Sequence, residues 1–325
     1  MDGEMSVGKL VLMAAPVHPV LTEGLQALGF QLRQAPDIQK EEAGRMLQGC
    51  VGVITSTRIQ LSRALLEANP QLQWIGRMGS GLEVIDTAAA AELGIAVFAS
   101  PEGNCNAVAE HALGMLLSLL KKIPASAREV ESGLWLREEN RGEELEGKTV
   151  GIIGFGHTGR AFAKLLRGFE DVEILAYDPY NDRPFPENVK GASLAAIQQK
   201  ADVISFHVPI GPDTRYYFDE NFLAALQKPV ILINTSRGEV VNSEVLEKGL
   251  ISGKIRAAAL DVWEGEPLSR MPTAEKDRLL RLAQLPQVLV TPHIAGYSYE
   301  ALYKMSLALL RKLRAHLEDG RKISL

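Results

Sequence analysis

Residues 150–160 read VGIIGFGHTGR. Gly154, Gly156 and Gly159 make G-x-G-x-x-G directly after an apolar run, the arrangement of a strand, a tight turn and a helix. The first glycine permits the turn. The second lets a main chain come close to a pyrophosphate, and the third lets helix and strand pack closely. The helix start then offers N–H groups and the positive end of its dipole to phosphate, with His157 and Thr158 in its first turn. Asp178 lies about 20 residues beyond Gly159, at the end of a second apolar run. A carboxylate there accepts hydrogen bonds from ribose hydroxyls and repels an added 2′-phosphate, which favours NAD over NADP. Standing before Pro179, Asp178 also reads as a turn cap.

From this loop the pattern extends in both directions. Candidate strands fall at residues 150–154, 173–177, 202–207, 230–234, 257–261 and 288–291, six in number as in a Rossmann domain. The loops after the last three hold NTSRG (234–238), DVWEGEP (261–267) and TPHIAG (291–296). Ligands of open α/β sheets bind beyond the carboxyl ends of strands, so these loops can converge on one site. Arg237 offers a planar fork to a carboxylate. His293 can exchange a proton near neutral pH, and a nearby carboxylate would orient it and favour its charged form. Glu264 and Glu266 compete for that place. His111, His157 and His207 are weaker candidates. No His/Cys/Asp cluster has metal-ligand spacing, so no metal is expected.

The segment 181–190, with Pro184 and Pro186, reads as a surface loop. The first hundred residues also alternate strand and helix, with strands at 9–14, 51–55, 73–76 and 95–99 and helices at 17–28 and 62–68, the latter with Ser62 as its N-cap. They carry no phosphate loop. Met78, Gly79, Ser80 and Gly81 follow the third of these strands, and glycines flanking Ser80 make either a loop whose N–H groups face an anion or a plain strand-to-helix turn. Residues 101–103 break the pattern, a long apolar helix covers 107–122, and Pro124 ends it. An amphipathic helix at 299–317 is expected to return to the N-terminal unit.

A chain of 325 residues has room for two domains. A net charge of −5 gives no footprint for nucleic acid or an anionic membrane, and no stretch approaches the length of a membrane span. The N-terminus is acidic and its apolar run is too short for a secretion signal. Two cysteines support no disulfide framework and suit a reducing, cytoplasmic setting.

RMGSGLEVID, NAVAEHALGMLL, VGIIGFGHTGR, NTSRGEVVN, ALDVWEGEP and TPHIAG occur here in one order. With them the chain resembles the D-isomer-specific 2-hydroxyacid dehydrogenases, which include phosphoglycerate, glycerate (hydroxypyruvate reductase) and D-lactate dehydrogenases. The resemblance implies an α/β protein with a Rossmann NAD-binding domain, residues 102–295, inserted into a flavodoxin-like substrate domain built from 1–101 and 296–325. It implies that Arg237 binds the substrate carboxylate, that His293 is the acid/base and that Glu266 is its partner. Met78, Gly79, Ser80 and Gly81 would touch the substrate. Val108, Gly154, Gly156, His157, Thr158, Gly159, Asp178, Val208, Thr235, Ser236 and Asp261 would hold NAD. The substrate would be a small 2-hydroxy or 2-keto acid. The family implies a homodimer through the NAD-binding domain, with the 107–122 helix near the seam.

Within the family the chain looks closest to the phosphoglycerate dehydrogenases, with hydroxypyruvate/glyoxylate reductases and erythronate-4-phosphate dehydrogenases as alternatives. It departs from the first group in Leu82-Glu83-Val84-Ile85-Asp86, where those enzymes often carry Val-Asp-Asn. They often carry an arginine where this chain has Thr55, with Arg58 close by. No C-terminal regulatory domain is expected. Glu266 separates the chain from the formate dehydrogenases, which carry glutamine there. Non-enzymatic NAD-sensing corepressors share the fold and the catalytic trio, but the chain lacks their long interaction tails.

Overall fold

The computed structural model describes residues 9–318. The reading of the first eight residues as no leader lies outside them, as does the end of the C-terminal segment. The chain divides into two compact units, Met1–Asn104 with Tyr297–Leu325, and Cys105–Gly296.

The first unit holds strands β1 (Leu10–Ala14), β2 (Gln31–Gln34), β3 (Cys50–Thr55), β4 (Trp74–Arg77) and β5 (Ala96–Ala99). All pair in parallel, in the order β2-β1-β3-β4-β5. This is the flavodoxin order. A parallel sheet needs both faces covered, and its strands supply alternate residues to each. Leu12, Val53 and Ile75 pack with Leu47, Leu66 and Ala89, from α2 (Ala43–Leu47), α3 (Arg63–Glu67) and α4 (Thr87–Glu92). Val11, Met13, Ile54 and Trp74 point the other way, onto α1 (Pro19–Ala27) and onto α12 (Tyr299–Glu318), the returning helix. Leu309, Leu310 and Leu313 of α12 are buried there, each worth about 1.5–3 kcal/mol. Gly24 allows the approach: a Cβ on it would stand 2.3 Å from the Leu310 side chain.

Several sequence expectations shift. β2 escaped the reading because QLRQ is polar and half-exposed, with no apolar run to announce it, and α2 because its five residues are too short to show a helical period. Ser62 occupies the N-cap position of α3, but its side chain makes no capping hydrogen bond. Pro101 opens the long helix α5 (Pro101–Leu120) instead of breaking the pattern, since a first-turn residue needs no N–H. Nor does Pro124 end that helix. α5 stops at Leu120, Lys122 turns the chain at φ 52°, and Pro124 lies in the first turn of α6 (Ile123–Glu131).

The second unit holds β6 (Thr149–Ile153), α7 (His157–Leu166), β7 (Glu173–Tyr177), β8 (Val189–Gly191), α8 (Leu194–Lys200), β9 (Val203–Phe206), α9 (Glu220–Ala225), β10 (Val230–Asn234), α10 (Ser243–Ile251), β11 (Ile255–Leu260), α11 (Thr273–Ala283) and β12 (Val288–Val290). Its seven parallel strands run β12-β11-β10-β9-β6-β7-β8. Six strands were expected. The surface loop expected at 181–190 holds through residue 188, and the additional strand, β8, starts at its end and adds to β7 at the sheet edge. The order is that of a Rossmann sheet with a further strand, and it reverses between β6 and β9. One face packs on α7 and on Ala109, Ala112 and Leu116 of α5, the other on α8–α11. Among the described residues no helix is long and apolar enough to cross a membrane.

Candidate active site

The glycine loop leaves β6 at the point where the strand order reverses. Gly154 has φ +90°, and a Cβ on it would lie 2.5 Å from the His207 carbonyl oxygen and 2.9 Å from Val208 Cγ1. Val208 follows β9, the strand beside β6, so the chain crosses itself at van der Waals distance there. A Cβ on Gly159 would stand 2.2 Å from the Gly154 oxygen, which is why the third glycine is needed for α7 to start so close to β6. Gly156 is the opposite case: it is exposed, with nothing within 4 Å of a Cβ position. The N–H groups of a helix's first turn lack acceptors inside the helix, and α7 presents those of His157, Thr158 and Gly159. A main-chain cradle open at its centre suits a pyrophosphate.

Asp178 stands just past β7. Its Oδ2 accepts from the Phe155 N–H at 2.8 Å and its Oδ1 from the Tyr180 N–H at 2.9 Å. The carboxylate thus ties the end of β7 to the glycine loop and caps its own turn. Each oxygen keeps a further lone pair for a ribose hydroxyl. Past β10, Thr235 is buried and its Oγ1 has no partner among the described residues, a donor-acceptor awaiting a ligand atom. The buried Ser236 hydroxyl donates to Asn234 Oδ1 at 2.7 Å. Val108 is buried on α5.

The same strand ends bring the acid/base candidates together. His293 Nδ1 bonds Glu266 Oε1, and the Trp263 N–H donates to Glu266 Oε2 at 3.1 Å. Glu264 is used elsewhere: its Oε2 accepts from the Ser243 N–H at 2.8 Å, and its carboxylate beside Tyr216 pushes that phenol up. Of the two glutamates, Glu266 is the one that meets His293. The Glu266 hydrogen bond raises the His293 pKa above its ordinary value, burial opposes it, and the Arg237 charge also lowers it while Asp261 raises it. Arg237 therefore lies within electrostatic reach of the imidazole. Its Nη1 donates to the Ser236 carbonyl at 2.7 Å, and Asn234 Nδ2 holds the Arg237 carbonyl at 2.9 Å.

His293 has φ +56°, uncommon for a side chain with a Cβ. Asp261 holds it there. The His293 N–H donates to the Asp261 carbonyl at 2.7 Å, and the buried Asp261 carboxylate accepts from the N–H groups of Ile294 at 2.9 Å and Ala295 at 2.8 Å. Strain of this kind, about 1–3 kcal/mol, persists where the surroundings over-determine it. The Thr291 hydroxyl donates to Asp261 Oδ1 at 2.6 Å and meets His111 Nε2 at 3.0 Å, which gives His111 a place in the support. His207 is no proton donor near neutral pH, because burial drives its pKa down to about 3.

In the first unit, Met78, Gly79, Ser80 and Gly81 follow β4. Gly79 has φ +131°, donates its N–H to Ser100 Oγ at 3.0 Å and accepts from the Ser100 N–H at 2.9 Å. Its main chain is committed inward, which takes its N–H out of any anion-binding set. Ser80 is exposed between the buried Gly79 and Gly81. Arg58 pairs with Asp37 at 3.2 Å. No group of His, Cys, Asp and Glu among the described residues could hold a metal ion.

Sequence reasoning passed over three residues in the site's support. Asn234 clamps the turn before Arg237, a role its place at the end of β10 could have signalled. Trp263 and Glu275 join through the indole Nε1, at 2.8 Å. That contact bridges two elements and leaves no periodic trace in the sequence.

Comparison with known proteins agrees with this geometry. Residues 113–295 match the NAD binding domain of the D-isomer specific 2-hydroxyacid dehydrogenases. A D-3-phosphoglycerate dehydrogenase of Archaeoglobus fulgidus is 32% identical over 301 residues, 92% of this chain and 55% of that protein. The chain thus spans about half the length of that relative. A hydroxypyruvate reductase of Thermotoga maritima is 34% identical over 279 residues, 85% of this chain and 88% of that protein. A D-lactate dehydrogenase of Aquifex aeolicus, solved with NAD and lactic acid, superposes with a TM-score of 0.81 at 26% identity, over 95% of this chain and 96% of that one. With the matched domain, the glycine cradle and the reversing sheet all in one chain, this protein belongs to the D-isomer specific 2-hydroxyacid dehydrogenase family.

Proposed function

We propose that this chain is an NAD-dependent D-2-hydroxyacid dehydrogenase, with Arg237, Glu266 and His293 as its catalytic residues. The observation that carries the reading is the His293–Glu266 pair with the Arg237 charge beside it. NAD(H), when bound, exchanges a hydride with the second carbon of the acid. Gly154, Gly156, His157, Thr158 and Gly159 would take its phosphates, Asp178 its ribose, and Val208 the adenosine side. Val108, Thr235, Ser236 and Asp261 complete that set. The Arg237 fork holds the substrate carboxylate. Protonated His293 gives its Nε2 proton to the oxygen that becomes the hydroxyl, while Glu266 on Nδ1 stabilises the charged ring. In the reverse direction neutral His293 takes the proton back. Met78, Gly79, Ser80 and Gly81 are assigned to the substrate as well, Gly79 as the turn that presents Ser80 and not through its own N–H, which Ser100 takes. Residues 102–295 serve as the cofactor domain and 1–101 with 296–325 as the substrate domain.

The substrate reading is phosphoglycerate dehydrogenase-like, after the motif order and the Archaeoglobus relative. A second reading is hydroxypyruvate or glyoxylate reduction. It is favoured by the match along 88% of the Thermotoga reductase and by the pairing of Arg58 with Asp37. A panel of 2-keto acids with and without a phosphate, followed as NADH consumption, tests both. Turnover of phosphohydroxypyruvate at least tenfold above hydroxypyruvate in kcat/KM, about 1.4 kcal/mol, supports the first reading. The reverse ratio supports the second, and no turnover of any acid overturns the function.

A cytoplasmic homodimer joined through the second unit completes the proposal. Ile123, Val130, Leu134 and Trp135 are exposed on α6 and the turn after it, with Trp135 at 83%. Apolar side chains gathered on one short segment mark an association surface. Trp135→Asp should convert a dimer to a monomer in light scattering. A dimer of unchanged stability would remove this segment from the interface.

A further inference from the structure

The Glu266 carboxylate is held from two sides, by His293 on one oxygen and by the Trp263 main-chain N–H on the other. What holds Trp263 is therefore relevant to what His293 meets. Its indole is nearly buried, at 6% exposure, and Nε1 donates to Glu275 Oε1 at 2.8 Å. The second oxygen of Glu275 accepts from Arg278 Nη1. The Arg278 guanidinium forks further, to Glu247 from Nε at 3.1 Å, to Glu244 from Nη2 at 3.0 Å and to Ser243 Oγ at 3.3 Å. One cation thus joins α10, α11 and the loop that carries Glu266. The Arg278 side chain is only 16% exposed and its partners Glu275 and Glu247 are 18% and 24% exposed, so those two bonds are stronger than open surface pairs, as the bond to the exposed Glu244 is not.

A second contact ties this brace to Arg237. A Cβ on Gly238 would lie 2.2 Å from the Trp263 carbonyl carbon and oxygen. The main chain just after Arg237 therefore rests on the main chain of Trp263. A displacement of Trp263 would reach the loops of Arg237 and Glu266 together.

We propose that Trp263, anchored through its indole N–H by Glu275 and Arg278, is a positioning residue that fixes the Glu266 carboxylate against His293. The catalytic use of His293 rests on the function proposed above, whereas the brace itself does not. A packed indole with no further role would need only its ring, and phenylalanine keeps most of that. The N–H to Glu275 is what a positioning role adds.

The test uses Trp263→Phe and Glu275→Gln in the whole, cofactor-free chain. The titration of the His293 ring is followed by NMR, its signal assigned by its loss in His293→Asn. The charged groups that act on this ring are Glu266, Asp261 and Arg237, and neither substitution replaces any of them. Both variants should titrate at lower pH than the parent, because a loosened Glu266 raises the imidazole less. In parallel, kcat for the best 2-keto acid should fall about tenfold with the KM for NADH unchanged. A midpoint equal to the parent's in a folded Trp263→Phe overturns the proposal. If that variant does not fold, an unmoved midpoint in Glu275→Gln does the same. A shifted midpoint in a protein that reduces no 2-keto acid would sink the function and leave the brace standing. Turnover with an unmoved midpoint would do the reverse.

Discussion

His293→Ala should lower kcat/KM for reduction of the best 2-keto acid by about 10²–10⁴-fold, the range that general acid catalysis contributes. The KM for NADH should hold, because the glycine cradle and Asp178 stand on β6 and β7, away from the His293 loop. The loop itself should survive the change. Its shape comes from main-chain bonds to Asp261, which alanine leaves in place. The pH dependence identifies the group removed. Glu266 raises the His293 pKa, so the proton donor persists to higher pH than a free imidazole would allow. Parent reduction should be flat on the acid side and fall as pH rises through that raised pKa, with oxidation rising over the same interval. His293→Ala should lose this limb in both directions. Glu266→Gln removes the largest raising influence, so its limb should move to lower pH. Steady-state rates across neutral and alkaline pH decide the matter. A limb unchanged in His293→Ala assigns the proton to another group.

The parts of this site that could be read from the chain are those written locally. The glycine loop, Asp178 and the polar residues closing each apolar run depend on spacing within one β-α step, and the structure places them at strand ends. Glu264 and Glu266 could not be separated that way. Both lie in one short loop, and the choice turns on which of them meets His293 and which meets Ser243, residues remote in the sequence. Asp178 shows the same limit in another form. Its position was evident, but its grip on the Phe155 N–H follows from how β7 lies beside β6. Where prolines intervened, local reading went wrong. Pro101 and Pro124 both sit in first turns of helices, the one helical place that tolerates them. Trp263, Glu275 and Arg278 leave no local sign at all.

Arg237→Ala should cost about 2–5 kcal/mol in transition-state binding, roughly 30- to 4,000-fold in kcat/KM for the keto acid. The guanidinium is the charge that would meet the substrate carboxylate, and truncation leaves that carboxylate without a partner. The main chain does not depend on it, since Asn234 holds the carbonyl and Gly238 rests on Trp263. Circular dichroism and the KM for NADH should therefore match the parent. Arg237→Lys should recover only part of the loss, because a point charge cannot form the bidentate pair. A second readout separates Arg237 from the acid/base pair. Its charge depresses the His293 pKa, against the raising effect of Glu266. Removing it should move the alkaline limb of reduction to higher pH, opposite to Glu266→Gln, even as the rate falls. A loss of rate together with an upward limb is expected only if Arg237 serves the substrate while repelling the imidazolium. If kcat/KM stays within about twofold of the parent, less than 0.5 kcal/mol, the carboxylate is bound elsewhere and the role given to Arg237 is wrong.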